Sequence, residues 1–184
     1  GNKHAAISPD GKWIAAGDKL FDAATNELVC RLPSEQGAGG TSLRFTPDSR
    51  RLAIGHSDGS PWVYEVPTGR VVGKVACNKH VTNVIDVSPD GRFVATGGGA
   101  SWSNDERSMI RDGDYALRIW RMPEPIAPLA SFEEVGRCAG HERSVFHIAY
   151  APDGKCFYSV DGDTVRKWDA ATGELKRTME VPEG

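Results

Sequence analysis

The sequence has little that would place it in a membrane or on nucleic acid. Its 184 residues contain no apolar run close to the roughly 18 to 20 residues that a membrane-spanning helix needs. Its 25 acidic and 22 basic residues nearly cancel, and the formal net charge is −3. Such a balance argues against bulk electrostatic attraction to nucleic acid or to an anionic membrane, so we expect neither as a partner.

The sequence also lacks the motifs of common catalytic and metal sites. None of its five histidines stands in an HExxH or His-x-His arrangement, no cysteine pair has CxxC spacing, and no GxSxG nucleophile elbow occurs. Gly97-Gly98-Gly99 is not followed by the Gly-Lys-Ser/Thr of a phosphate-binding loop. Asp112-Gly113-Asp114 and Asp161-Gly162-Asp163 lack the closing Glu of a calcium loop, so we interpret both as turns. We therefore expect no metal, no cofactor and no catalytic residue.

Cysteine is scarce. The four residues fall at unrelated places in the chain, Cys30, Cys77, Cys138 and Cys156. An even number would permit two disulfides, but three connectivities are open and the sequence selects none of them. Buried free thiols are the more economical interpretation, and they favour a reducing compartment.

What the sequence does contain is a repeat. Ser-Pro-Asp-Gly occurs at residues 8–11 and 88–91, with the near-copies Thr-Pro-Asp-Ser at 46–49 and Ala-Pro-Asp-Gly at 151–154. The intervals between successive copies are 38, 42 and 63 residues. The repeating unit therefore has about 40 residues, and the third unit carries about 20 more.

Each copy lies between two short β-rich runs, a pattern that predicts a hairpin with proline at its first corner. A third run that ends in an aromatic residue follows, then a second turn and a fourth run. Four short runs in each of four units, with no stretch of period 3.6, predict an all-β fold.

These units resemble the WD repeats of β-propellers over essentially the whole chain. The fourth unit matches best, through Gly140-His141, its Ala-Pro-Asp-Gly turn and the run from Thr164 to Asp169. The resemblance implies four blades, each a four-stranded antiparallel sheet, at about residues 1–32, 41–76, 81–138 and 145–181.

The number of blades bears on how the ring closes. Because rings of this family usually have about seven blades, we expect the chain to be part of a larger propeller. A self-closing ring of four blades and an arc completed by a second copy are the alternatives. An open arc would expose apolar blade faces and favour self-association.

The resemblance further implies a buried hydrogen-bond chain of His, Ser or Thr, Asp and Trp in each blade. In the fourth unit the matching residues are His141, Ser159, Asp163 and Trp168, with Trp168 one position early. The third unit supplies only Thr96, Asp114 and Trp120. The second has Ile54 and Tyr64 at the Ser and Trp positions, and the first has Phe21 for Trp, so we expect degenerate geometry there.

The function that the resemblance implies is a non-catalytic scaffold for protein–protein interaction, since many loops converge on two faces. One alternative is a regulatory or sensor propeller attached to a catalytic domain outside this segment. Another is a hydrolase or redox propeller with its chemistry in the central channel. The last would need polar residues on the first strands of the blades, where only Arg44, Asp86 and His147 depart from the apolar pattern.

The insertion at residues 100–115 is the candidate partner-binding surface, because a loop this long in a compact repeat is more often functional or disordered than structural. It combines aromatic, methionine and arginine residues as interface hot spots do: Trp102, Arg107, Met109, Arg111 and Tyr115. We expect Glu142, Arg143 and Lys79 as its neighbours on the face that carries His141. The alternative is that Trp102 and Met109 cap the edge of the propeller.

Overall fold

The computed structural model describes residues 4–34, 40–56, 59–74, 82–102, 109–111, 115–122 and 130–181, with residues 100–102, 109–111 and 130–131 described by their backbone alone. These residues form 19 β-strands and no helix. The predicted all-β fold is confirmed. Each of the four repeat units forms a four-stranded antiparallel sheet in which the strands follow chain order.

The first sheet contains β1 (Ala5–Ile7), β2 (Trp13–Ala16), β3 (Lys19–Asp22) and β4 (Leu28–Arg31). The second contains β5 (Gly40–Phe45), β6 (Arg51–His56), β7 (Pro61–Glu65) and β8 (Val71–Lys74). The third contains β9 (Thr82–Val87), β10 (Phe93–Gly98), β13 (Leu117–Arg121) and β15 (Glu133–Cys138). The fourth contains β16 (His147–Tyr150), β17 (Cys156–Val160), β18 (Thr164–Asp169) and β19 (Leu175–Glu180).

Two further pairings depart from four regular blades. β11 (Ala100–Trp102) and β12 (Met109–Arg111) form an antiparallel hairpin within the insertion, in which Trp102 is the backbone partner of Met109. The insertion is therefore not the strandless loop that its length suggested. β14 (Ala130–Ser131) pairs in parallel with β8. This pairing satisfies backbone groups on the outer edge of the second sheet, which would otherwise be open to another chain.

The repeated turn explains why the first two strands of each unit pair. In the first unit the Ser8 hydroxyl donates to Asp10 Oδ1 at 2.6 Å and accepts from the Trp13 amide at 2.9 Å. Gly11 takes the left-handed conformation, with φ of 73°, that closes the turn. Neighbouring turns also touch, since the Asp10 amide donates to Ser49 Oγ of the next unit at 3.1 Å.

The sheets are arranged as an open arc. The first strand of each sheet lies against the first strand of the next, β1 on β5, β5 on β9 and β9 on β16. Among the described residues no comparable contact joins β16 to β1. Asp86 on β9 links three sheets, because its carboxylate lies 3.3 Å from Arg44 Nε and accepts the Tyr150 amide at 2.8 Å.

Three apolar cores lie between the four sheets in the described part of the chain. The first includes Leu20 and Leu52, the second Val63 and Ile85, and the third Leu117, Phe157 and Trp168. Full burial of one such large side chain stabilises the fold by about 1.5 to 3 kcal/mol. A closed ring of four sheets would have a fourth core, and none is formed by these residues.

The outward face of the first sheet is apolar and uncovered. Ile7, Ile14, Phe21 and Leu28 are cross-strand partners in one row of this sheet. The matching row of the second sheet consists of Phe45, Leu52, Tyr64 and Val71 and belongs to the first core. Ile7 is 64% exposed and Leu28 48% exposed, although the same register positions are buried or nearly so one blade further on.

Candidate functional site: the hydrogen-bond chain and the face above it

A continuous chain of hydrogen bonds runs from the third strand of the fourth sheet to the loop before that sheet. Trp168 Nε1 on β18 donates to Ser159 Oγ on β17 at 2.7 Å. Ser159 Oγ lies 2.6 Å from His141 Nε2, and His141 Nδ1 lies 2.7 Å from Asp161 Oδ2. Since an ionised Asp161 accepts the Nδ1 proton, Nε2 accepts the proton of Ser159, and every polar atom of the chain has a partner.

The carboxylate in this chain is Asp161, and the prediction of Asp163 is wrong. Asp161 begins the turn between β17 and β18, where its Oδ1 accepts the amide and the hydroxyl of Thr164 at 2.9 and 3.0 Å. Asp163 is 61% exposed in its side chain and pairs with Arg143 Nη1 at 2.8 Å. Gly162 lies between the two acids with φ of 104°, and the turn directs the first acid inward and the second to solvent.

The electrostatics of the chain favour a neutral imidazole and an ionised carboxylate. Burial lowers the pKa of His141, and the nearby Arg166 guanidinium lowers it further, which together outweigh the opposing hydrogen bond to Asp161. Burial alone would raise the pKa of Asp161, but the hydrogen bonds from His141 and Thr164 outweigh it and lower this pKa. The two groups therefore keep the protonation states that the hydrogen bonds require.

Ser159, His141 and Asp161 have the residue types and contacts of a nucleophilic triad, but their surroundings do not suit catalysis. Ser159 is 0% exposed, so no substrate carbonyl can approach its hydroxyl. Its oxygen also accepts the indole proton of Trp168. The arrangement ties a loop to a sheet, and its contribution is structural.

The third and second sheets use shorter arrangements. In the third, Trp120 Nε1 donates to Thr96 Oγ1 at 2.9 Å, while Asp114 lies outside the described residues. In the second, Ile54 has no hydroxyl to offer, and the Tyr64 hydroxyl instead donates to the Pro33 carbonyl at 2.7 Å. His56 Nε2 lies 3.3 Å from the same hydroxyl.

The second blade departs from the hydrogen-bond chain of the fourth, and Tyr64 supplies a different link in its place. This residue is fully buried and ties β7 to the segment that enters the blade. A signal was available in the sequence, because a tyrosine at the tryptophan position supplies a donor where phenylalanine would not. Its acceptor, 31 residues earlier, could not be read from a local pattern.

A cavity of about 260 Å³ opens on the face of the fourth blade that carries His141 and the Asp161 turn. Its lining includes Tyr115, Arg143, Phe146 and Asp163. Phe146 is 52% exposed although it is a large apolar residue, and it stands beside the Arg143–Asp163 ion pair. The Val145 amide donates to the Gly98 carbonyl at 3.1 Å and holds the start of the insertion against this loop.

The structure brings together only part of the predicted partner-binding set. Tyr115 and Arg143 line this cavity, and Glu142 is exposed next to Arg143. Trp102, Met109 and Arg111 lie in the β11–β12 hairpin, where only their backbone is described. Arg107 and Lys79 lie outside the described residues. Phe146 was not among the predicted site residues. It precedes β16 by one residue, so it lies outside the alternation of buried and exposed side chains in that strand, and it is exposed.

The described ranges contain neither a cluster of metal-ligating side chains nor a helix that could span a membrane. No cluster of three or more His, Cys, Asp or Glu side chains suited to a metal ion occurs in them. Nor does any helix there have the length and apolar character needed to cross a membrane. Cys30, Cys138 and Cys156 are free thiols in strands, and burial raises the pKa of Cys138 to about 12.

The protein has the architecture of a β-propeller. Its four-stranded antiparallel sheets pack face to face, and the first strand of each sheet lies against the first strand of the next. The sequence profile described as "WD domain, G-beta repeat" matches residues 132–169, which include the hydrogen-bond chain. This match confirms the predicted resemblance to the WD repeats of β-propellers.

Similar proteins extend beyond the length of this chain. An uncharacterized WD repeat-containing protein of Synechocystis sp. is 28% identical over 182 residues, covering 97% of this chain and 44% of that protein. Echinoderm microtubule-associated protein-like 2 of Rattus norvegicus is 27% identical over 154 residues, covering 83% of this chain and 21% of that protein. A chain in the crystal structure of the Mitotic Checkpoint Complex matches with a TM-score of 0.72 and 16% identity, over 97% of this chain and 50% of that one. This chain thus spans half or less of each of these proteins.

Proposed function

We propose that the chain is a non-catalytic platform for protein–protein interaction and that the face around Phe146 and Arg143 is its contact surface. The exposed Phe146 beside an ion pair carries this proposal, since an aromatic residue next to arginine at the mouth of a cavity is typical of interface hot spots. The names of two similar proteins, a microtubule-associated protein and a member of a multiprotein complex, support a protein partner in general. Neither name denotes an enzyme.

The polar residues of the first strands argue for a scaffold over a channel-centred enzyme. Arg44 and Asp86 pair with each other, and Asp86 also holds the Tyr150 backbone. Both side chains are therefore engaged in linking blades. His147 is exposed on β16.

The contact surface is tested by affinity capture with variants that keep the fold. Phe146→Ser and Arg143→Ala should each lose a captured protein, with little change in melting temperature because both side chains are exposed. Arg70→Ala is the matched control, since Arg70 is also exposed and ion-paired, with Glu65 at 3.1 Å in the second blade. If Phe146→Ser and Arg143→Ala captured the same proteins as Arg70→Ala, the assignment of this face as the contact surface would be overturned.

The insertion is tested by replacing residues 101–112 with a short Gly-Ser turn. Retained melting behaviour with loss of the captured protein would assign Trp102, Arg107, Met109 and Arg111 to the contact surface. A collapse of melting would identify the insertion as a structural cap instead, and no change in either property would reject both roles.

We also propose that further blades complete the arc. The row of Ile7, Ile14, Phe21 and Leu28 supports this, because it repeats in register the row that the second sheet buries. The alternative occupant is a second copy of the chain. Light scattering and binding of a hydrophobic dye test the proposal: the 184-residue chain should self-associate or bind dye, and a longer chain with additional blades should do neither. A dye-free monomer of the 184-residue chain would contradict an uncovered apolar face.

A further inference from the structure

The face of the fourth sheet that points away from the third blade differs in composition from the corresponding faces of the other sheets. In the first three sheets one cross-strand row of this face packs on the next sheet and combines an alanine, a branched apolar residue and a small residue: Ala15, Leu20 and Cys30, then Ala53, Val63 and Gly73, then Ala95, Ile119 and Gly136. The three alanines are 0% exposed. In the fourth sheet the same register positions hold Tyr158, Lys167 and Arg177.

These three side chains of the fourth sheet lie on its solvent side. Phe157 precedes Tyr158, Trp168 follows Lys167, and both belong to the core against the third blade. Because successive side chains alternate between the faces of a sheet, Tyr158 and Lys167 lie on the opposite face, as does Arg177, the cross-strand partner of Lys167. Tyr158 and Lys167 are partly exposed and Arg177 is exposed. In the described part of the chain no other sheet packs on this face.

Lys167 and Arg177 bring two positive charges side by side on β18 and β19. Like charges in directly opposite positions destabilise a sheet, and a nearby acid would relieve this cost. No carboxylate of the described residues forms an ion pair with either side chain, and Lys167 Nζ instead lies over the Tyr158 ring, 5.7 Å from its centroid. Two acids of the same sheet, Asp169 and Glu174, both pair with Lys176, at 3.5 and 3.0 Å.

Elsewhere in the arc a carboxylate of the next blade matches a basic side chain of this row. Arg44 begins the row of Ala53 and Val63 in the second sheet, and its Nε lies 3.3 Å from Asp86 Oδ1 of the third sheet. Charge pairing between neighbouring blades is therefore part of how these sheets pack. The basic pair of the fourth sheet stands in the same row, and the described residues supply no following blade to match it.

A second copy of the chain is a poorer occupant of this face than a further blade. Packed head to tail, the copy would present the outward face of its first sheet, which carries the apolar row from Ile7 to Leu28. The same face carries the cross-strand partners Lys19 and Arg31, of which Arg31 uses Asp18 as its acid at 3.4 Å. Both ends of the arc are thus basic, and like charges across an interface disfavour the contact.

We propose that the outward face of the fourth sheet packs against a further blade, and that this blade presents a carboxylate to Lys167 and Arg177. The planar guanidinium of Arg177 and the adjacent ammonium of Lys167 can donate to the two oxygens of one carboxylate. The proposal rests on the proposed completion of the arc and adds the chemistry by which the fourth blade recognises the next one.

Coverage of the face is tested by the rate at which an amine-reactive acetylating reagent modifies Lys167, read by mass spectrometry. In a longer chain with additional blades Lys167 should react on the order of tenfold more slowly than in the 184-residue chain, because burial restricts the reagent to transient openings. Lys155 is the matched control and should react equally in both chains. It is exposed in the first turn of the fourth blade, as are its counterparts Lys12, Arg50 and Arg92 in the three units that another blade follows.

The chemistry of the contact is tested by the double variant Lys167→Gln with Arg177→Gln. In the 184-residue chain it removes the repulsion of the two charges, so the melting temperature should stay the same or rise. In the longer chain it leaves the carboxylate of the next blade buried without its partners, so the melting temperature should fall by about 4 °C or more. Lys155→Gln controls for the loss of an exposed charge and should leave both chains unchanged.

The possible failures are distinct. Slow acetylation of Lys167 in the longer chain without the opposite melting shifts would overturn the carboxylate and leave the completed arc standing. Equal acetylation in the two chains would overturn a further blade as the occupant. Protection that appears in the 184-residue chain only as its concentration rises would assign the face to a second copy and contradict the proposal. None of these results bears on capture dependent on Phe146 and Arg143, so the contact surface is tested separately.

Discussion

The second and fourth blades secure the same fold with different chemistry. In the fourth, Trp168 on the third strand reaches the preceding loop through Ser159 and His141. In the second, Tyr64 occupies the register position of Trp168, and its hydroxyl reaches the Pro33 carbonyl directly. Both side chains are buried, and both tie the third strand to the segment that enters the blade.

The comparison shows that a blade without the His–Ser–Asp–Trp chain can still link its third strand to the segment that enters the blade by a buried hydrogen bond. A tyrosine carries its donor at the end of its ring and needs one acceptor, so Ile54 can fill the serine position without leaving a donor unpaired. The fourth blade engages four residues in succession, and removal of any one leaves a buried partner unsatisfied. We therefore expect the fourth blade to be the more sensitive of the two.

Asp161→Ala should produce the largest effect. It removes the acceptor of His141 and of both Thr164 donors, and we expect a loss of about 3 to 4 kcal/mol of unfolding free energy. Asp163→Ala is the matched control, because it breaks only an exposed ion pair and should cost less than about 1 kcal/mol. Urea denaturation measures the unfolding free energy of both variants. An equal loss in the two would contradict the assignment of Asp161, and not Asp163, to the hydrogen-bond chain.

Trp168→Phe should follow, with a loss of about 2 to 3 kcal/mol, because it removes the donor to Ser159 and leaves a small cavity in the third core. The counterpart in the second blade is Tyr64→Phe. This variant keeps the ring and loses one buried hydrogen bond, so we expect about 1 to 2 kcal/mol. A negligible effect of Tyr64→Phe would mean that the hydroxyl does not tie the second blade.

Acid should weaken the fourth blade through His141. Its folded-state pKa lies below the ordinary value of 6.5, so the unfolded chain binds the proton first as the pH falls. This contribution is complete above about pH 6.5 and is lost as the pH falls toward the folded-state pKa. The lowered pKa of Asp161 acts in the same direction below its ordinary value of 3.8.

Asp86 acts in the opposite direction, since burial raises its pKa despite its contact with Arg44, and its protonation favours the folded chain.

The effect of His141 is measured by urea denaturation at two pH values. The urea midpoint of the parent chain should fall when the pH is lowered from 7.5 to 5.5, and it should fall less in His141→Gln, which lacks the imidazole with the lowered pKa. His147→Gln changes an exposed histidine and controls for the loss of one imidazole. A steeper fall in His141→Gln than in the parent would contradict a neutral buried His141.

The sequence was sufficient for features that are local. The Pro-Asp-Gly turns and the alternation beside them predict the hairpins, because the turn hydroxyl, the acid and the glycine lie within a few residues of one another. An open arc was expected from the number of units, but which of the two faces of the first sheet lacks a neighbour became visible only in the structure. The row from Ile7 to Leu28 is apolar like the corresponding buried row of the second sheet, yet Ile7 and Leu28 are exposed.

Three parts of the candidate site could not be predicted for geometric reasons. Asp161 and Asp163 flank one glycine, and spacing alone does not tell which carboxylate turns inward. The acceptor of Tyr64 lies in the segment between the first and second units, where a backbone carbonyl has no sequence signature. Phe146 precedes a strand by one residue, so the alternation of that strand did not assign it to a face.

The most direct test of the hydrogen-bond chain is the tautomer of His141, read from ring nitrogen shifts in a long-range proton–nitrogen NMR spectrum at pH 7.5. The chain predicts a neutral imidazole protonated at Nδ1, unchanged in Asp163→Asn and altered in Asp161→Asn. A ring protonated at Nε2, or one that responds to Asp163→Asn and not to Asp161→Asn, would contradict the assignment of Asp161 and the direction of the bonds that join Ser159, His141 and Asp161.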